Sequence, residues 1–484
     1  MSTPLGRAIP LALAIGVLAA AAAAAVPGPG VEPAAEPVRA SLAAQGTTIA
    51  CPPPPAVAET ATEAQVDEGF VAQPVPSTVI TAARTYSAEG PVGQLRAATL
   101  PVEAEGAALE AAGDPVTDVL ISDGAPMAAT AEPVDGSPRP IGAIATTVTT
   151  EGDIAGLAVS SCGPAMATQW LVGGAIATGR SSRIVLSNPG QTTATVDTTI
   201  LTATGPAQPP AGQDVVVPAG QSRELLLQAL TRAEGPTAIR VSSTGGRVAA
   251  SLVDTALDGL LPKGVEVISA SAARSRQVLA PLVSGPATLR LANPGEETLE
   301  VNWRVLGESG TVPSEEASGT AVPAGSVVEV PVTIPDDARA LVVTADTPLL
   351  TALTMTRDRA DGGADVAVAV PPAPLAPQNL VVPGPTGSSS ALTLAAGSEP
   401  ATVVLRQVDG TGTPVVPDQT LAIPADAARS VTLADGVSVA QVSVRAGTVN
   451  AGMLVTLGEF LAGTPVQPAE HAREQVPVLV QDRP

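Results

Sequence analysis

Acid–base and nucleophilic catalysis at neutral pH lean most often on histidine. This chain holds one, His471, in the polar stretch 468–475 near its end. Catalysis through His471 would require a tail residue to enter a pocket, so the residue reads as a solvated tail side chain. The scarcity of histidine also removes the usual ligand sets of zinc and iron. Lys263 is the only lysine, and no phosphate-cradling glycine loop surrounds it. Carboxylates are plentiful, so a glycosidase-type acid pair survives counting alone. Sugar-cleaving and sugar-binding sites normally present aromatic platforms, however, and the chain has two Trp, two Phe and one Tyr. Trp303 falls on the dry phase of its strand. Trp170 reads as a core residue, with an exposed anchor as the sharper alternative. No catalytic residue and no cofactor is expected, and the chain is read as something other than an enzyme.

Two further sets of residues could do chemistry. Asp358, Asp361 and Asp365 surround Gly362-Gly363 in an expected hairpin loop, and oxygen-rich loops of this kind can hold Ca²⁺. The spacing is not that of an EF-hand and no glutamate closes the loop, so a polar turn is the plainer reading. A related loop earlier in the chain carries Asp254 and Asp258 beside Gly259. Cys51 and Cys162 are the only cysteines. An even count in an exported chain points to a disulfide between them, which in the chain-entropy model is worth up to about 4.7 kcal/mol.

The elements that would position these residues are short strands. Hydrophobic content is 45%, yet only 1% is aromatic, so cores must be built from Val, Leu, Ile and Ala. The 49 prolines and 46 glycines interrupt the chain too often for long helices. With 24 basic against 46 acidic residues the net charge is −22, which repels nucleic acid and anionic lipid headgroups. Residues 1–26 stand apart. Arg7 precedes an uncharged Ala- and Leu-rich run over 9–26, the layout of an export signal or, if uncleaved, of a membrane anchor. A Pro- and Gly-rich spacer over 27–44 follows, and then a disulfide-closed β domain over 45–165.

After Cys162 the chain repeats itself. Arg183-Ile184-Val185-Leu186-Ser187-Asn188-Pro189-Gly190 is echoed by Thr288-Leu289-Arg290-Leu291-Ala292-Asn293-Pro294-Gly295, and more weakly by Ala391-Leu392-Thr393-Leu394-Ala395-Ala396-Gly397. Val217-Pro218-Ala219-Gly220 returns as Val322-Pro323-Ala324-Gly325 and, degraded, as Ile423-Pro424-Ala425-Asp426. Both motifs return at an offset of 105 residues, which is the size of a domain and indicates tandem modules over 166–280, 281–380 and 381–484. Leu299, Val301, Trp303 and Val305 alternate with Glu300, Asn302 and Arg304, the period of a half-buried strand. About seven such strands in about 100 residues predict an all-β chain of immunoglobulin- or fibronectin-like sandwiches. Blade-like packing of the modules in a propeller is the minority arrangement. In the Asn-Pro-Gly turn, Asn caps, Pro fixes φ and Gly is expected to take the positive φ.

The stretch 162–271 resembles an uncharacterised family of exported actinobacterial proteins, domain of unknown function 5719. The residues that carry the likeness are Cys162-Gly163-Pro164, Trp170-Leu171-Val172-Gly173-Gly174, the Arg183–Gly190 strand and turn, Val217-Pro218-Ala219-Gly220 and Gly245-Gly246-Arg247-Val248-Ala249-Ala250. The resemblance implies an exported, envelope-associated protein, in some cases encoded near membrane glycosyltransferases, and it transfers no catalytic residues. The leading expectation is a non-catalytic envelope scaffold or interaction module with unknown protein partners at the cell surface. It would bind no nucleic acid and would contact the membrane only through an uncleaved N-terminal segment. An accessory role in a membrane-associated glycan or polymer pathway comes second, and a carboxylate-dependent extracellular hydrolase third.

Overall fold

A computed structural model describes residues 38–41, 46–55, 77–88, 93–101, 109–112, 116–121, 125–313, 318–385, 387–468 and 475–478. The hydrophobic run over 9–26 and His471 lie outside them. Among the described residues no helix is long and apolar enough to cross a membrane. The described chain is mostly strand, with one short α-helix, Leu227–Leu230, and one 3-10 turn, Pro210–Gly212. Two units separate: 44–472, and a smaller one formed by the two chain ends. In the smaller unit Val38–Ser41 pairs antiparallel with Gln475–Val478. One strand of this pair thus stands within the expected spacer 27–44, and the other within the expected last module 381–484.

In the larger unit eight strands make a module, and the second module shows the pattern most plainly. One sheet runs Thr168–Ile176, Gly235–Gly245, Ala194–Thr202 and then Gly205–Ala207, with Val215–Val217 also on Ala194–Thr202, so that these two short strands together count as the fourth. The other runs Gln221–Leu226, Arg180–Asn188, Ala249–Asp258 and Leu261–Ser269. Taken in chain order, the first sheet is first, sixth, third, fourth, and the second is fifth, second, seventh, eighth. The fourth module repeats this order, from Gln378–Pro383 to Phe460–Pro465. So does the region between the two cysteines, from Thr47–Cys51 to Gly156–Ser161, which makes it a further copy of the repeat. The third module begins at Arg274–Leu279, which pairs with Ala340–Asp358. The boundaries at 281 and 381 therefore move to before Arg274 and Gln378. In the third module the sixth and seventh strands are one 19-residue strand, Ala340–Asp358, serving both sheets. It crosses between them at the exposed Asp346-Thr347-Pro348, where a proline that cannot donate to a ladder does no harm.

Alternation dictates the faces. Leu299, Val301 and Val305 are buried while Glu300 and Asn302 are exposed. Trp303 and Trp170 are both half-buried, packed against the cores of the third and second modules. Asn188 and Asn293 are buried and make the same bonds: each amide donates to two carbonyls, of Thr192 and Val217 or of Glu297 and Val322, and each Oδ1 accepts the N–H of Gly190 or Gly295. The cap was legible, but the φ was not. The left-handed residues are Gly220 (φ 67°), Gly325 (φ 61°) and Asp426 (φ 51°), in the second repeated motif. The Asn side chain already turns the chain by holding the glycine N–H, so no positive φ is needed there.

The eighth strands, Gly156–Ser161, Leu261–Ser269, Ala364–Ala369 and Phe460–Pro465, touch in that order, and the last returns to the first. The four modules therefore close a ring about a common axis, as blades do. Apolar clusters fill every seam: Ala158, Val185, Val253, Val265 and Val267 between first and second; Leu350, Ala352 and Val368 against the second module's core; Val278, Ala340, Ala395 and Ala428 between third and fourth; and Tyr86, Val116, Val381, Val408 and Val439 between fourth and first. Fully burying a Val or Leu contributes roughly 1.5–3 kcal/mol, so seams of several such residues hold modules that share no sheet.

Candidate functional site

Closing the ring creates a problem of hydrogen bonding. Each eighth strand is a sheet edge, and its outward N–H groups are buried at the axis, where water cannot satisfy them. Side chains do so instead. Asp365 Oδ2 accepts the N–H of Leu157 from the first module at 3.1 Å and of Leu461 from the fourth at 3.0 Å. Glu266 Oε2 accepts the N–H of Val368 from the third module at 3.3 Å and of Gly463 from the fourth at 3.2 Å, while Oε1 accepts that of Val267 at 3.0 Å. Thr464 Oγ1 accepts the N–H of Ser161 at 2.7 Å. Burial pushes the Asp365 carboxyl up to about 7, against the N–H groups that favour its charge. It pushes Glu266 well above the ordinary range, with the neighbouring Asp365 adding to the rise.

The aspartates expected to form an oxygen-rich loop do not converge. Asp365 is buried at the axis. Asp361 is exposed in the turn, accepts the Gly363 N–H, which holds its carboxyl below the usual value, and pairs with Arg359. Asp358 ends the preceding strand. Among the described residues no three carboxylate, histidine or cysteine side chains are grouped to hold a metal ion. Asp254 is engaged by Arg180 and by the Ser182 hydroxyl at 2.8 Å. Cys51 and Cys162 are bonded, joining the first strand of the first module to the residue after its eighth.

Arginines complete the seams. Arg84 and Arg290 hold the same position on their modules' second strands. Each lies opposite a small residue of the seventh strand, Gly142 or Ala352, and an acid of the fifth, Asp118 or Glu329. Arg84 Nη1 donates to the carbonyls of Gly384 at 2.9 Å and Ser438 at 2.8 Å in the fourth module. Arg290 Nη1 donates to Gly174 at 2.7 Å and Thr237 at 3.1 Å in the second. Burial lowers the Arg84 pKa, offset in part by Asp118. Asp426 of the fourth module takes Arg276 at 2.7 Å and Arg304 at 2.6 Å from the third.

One cleft in the fourth–first seam has a different character. It encloses about 460 Å³ between the outer face of a fourth-module sheet, with Arg406, Arg445, Asn379 and Ser443, and the first module's Tyr86 and Arg139. Asn379 and Ser443 are cross-strand partners. Arg406 is fixed by Asp418, with contacts of 2.6 to 3.1 Å. Asp418, then Tyr86, raises the Arg406 pKa by hydrogen bonding, and Arg406 in turn lowers that of Asp418. Arg139 is half-buried with its Nε unbonded, and Arg445 is exposed. None of these residues was singled out by sequence reasoning. Glu266 and Asp365 did leave a signal, since each is the lone charge in an apolar run, Val265-Glu266-Val267-Ile268 and Ala364-Asp365-Val366-Ala367. The cleft left none, because its residues come from segments about 300 positions apart.

Comparison with known proteins agrees with the family resemblance. The chain matches the family of unknown function DUF5719 over residues 116–434, and it belongs to that family. The match starts at the fifth strand of the first module, so the fold extends the repeat upstream of it. No curated protein matches the chain. A solved structure described as a biofilm associated protein, BSP domain, aligns over 91% of this chain and 99% of its own at 9% identity, with a TM-score of 0.12. That likeness is too slight to carry an argument.

Proposed function

We propose that this member of the DUF5719 family is a non-catalytic protein displayed outside the cytoplasm, a ring of sandwich modules serving as a scaffold or interaction surface at the cell envelope. One observation carries the reading: the buried charged side chains among the described residues, Arg84, Glu266, Arg290 and Asp365, all bridge one module to another. Enzymes commonly aim perturbed groups into a cleft where substrate is bound; here such groups hold a framework. The Cys51–Cys162 disulfide supports an oxidising compartment. The modules are read as immunoglobulin-like because the second and fifth strands are neighbours in one sheet and the fourth, third and sixth in the other. The purified full chain is expected to turn over no glycoside or peptide in a chromogenic panel, while crosslinking on intact cells recovers a defined set of surface partners. Turnover that disappears in Glu266→Gln or Asp365→Asn would overturn the reading.

A further inference from the structure

We propose that the cleft between the first and fourth modules binds a small ligand through an oxyanion: a carboxylate, sulfate or phosphate. Three arginines, Arg139, Arg406 and Arg445, line it against one carboxylate, Asp418. That carboxylate is already held by Arg406, while Arg139 and Arg445 carry no ion pair among the described residues. A locally cationic cleft runs against the −22 charge of the chain. A surface with so few basic residues would not gather three at one place for solubility. Guanidinium forks match the planar or tetrahedral geometry of oxyanions. Asn379 and Ser443 add amide and hydroxyl donors on the floor, where they face each other across two strands. A volume of about 460 Å³ falls within the range of small-molecule sites. The Tyr86 ring, packed into the seam, forms one wall, and Tyr86 is the only tyrosine of the chain.

The site exists only in the closed ring, because Arg139 and Tyr86 come from the first module and the other groups from the fourth. Isothermal titration of the full chain at low ionic strength tests the proposal, with inorganic phosphate, sulfate, glucuronate and, as the neutral control, glucose. At least one oxyanion is expected to bind while glucose does not. Arg445→Ala and Arg139→Gln should each weaken binding about tenfold, the loss of a charged hydrogen bond. Arg240→Ala, an exposed arginine of the second module, should leave it unchanged. Arg445 is exposed, so its replacement leaves folding intact, and a circular dichroism melt checks this. Glucuronate binding tighter than phosphate and sulfate would point to a sugar acid, and the reverse order to a free inorganic anion. Absence of binding by all three anions, or equal loss in Arg240→Ala, overturns the proposal.

Discussion

At the scale of the residue, Asp365 and Glu266 are unusual in holding main chain rather than counter-charges. Their burial has a consequence for pH. The folded-state pKa of Asp365, about 7, lies above the ordinary carboxylate value, so the fold favours the protonated form. The stability tied to that proton is complete at acid pH, below the unfolded carboxylate range, and is lost as pH rises through about 7. Glu266 is shifted in the same direction. With a single histidine in the chain, little else titrates in this window. The melting temperature is therefore expected to fall between about pH 5 and pH 8, and Asp365→Asn, which keeps the acceptor and removes the proton, should flatten that slope. A slope unchanged in the variant would refute the assignment. Glu266→Leu leaves three N–H groups of the axis without acceptors and should cost about 3 kcal/mol in urea denaturation, whereas Glu266→Gln should cost less than about half of that.

Among elements, the seventh strands show why small residues recur at the seams. A Cβ on Gly142 would lie 2.0 Å from the carbonyl oxygen of Val381, and one on Gly452 would lie 2.0 Å from that of Ala280. The first strand of one module thus runs against the seventh strand of the next with no room for a side chain. Gly142→Val is expected to open the fourth–first seam, seen as faster hydrogen exchange around Val381 and Ser438, while the second–third seam stays protected. Arg84→Leu acts on the same seam by another route, removing the side-chain donor of the Gly384 carbonyl and leaving the Ser438 carbonyl with the Gly384 N–H alone. Truncating one side of so buried a contact should cost about 2–4 kcal/mol. Arg290→Leu should do the same to the second–third seam, where the half-buried Trp170 of the second module offers a fluorescence readout.

For the whole molecule, closure is the decisive property. The disulfide spans 111 residues, so its reduction should destabilise the first module by up to about 4.7 kcal/mol in the chain-entropy model. Calorimetry with and without reductant measures this, and an unchanged melt would show that the ring alone holds the module. The sequence by itself determined what depends on near neighbours: strand character, the alternation that buries Leu299 and Val301, the tandem modules, the Asn188 and Asn293 turns and the pairing of the only two cysteines. These follow from local sterics and from a pattern of period two, both written in consecutive residues. Tertiary structure alone decided that the region between the cysteines is a further copy of the repeat, because its motifs have drifted while its strand order has not. It alone placed Asp365 at an axis instead of in a cation loop, since an edge strand's N–H groups need buried acceptors only once four edges meet. The arginine cleft also waited on closure, which brings Tyr86 and Arg139 beside Arg406 and Arg445 from the far end of the chain.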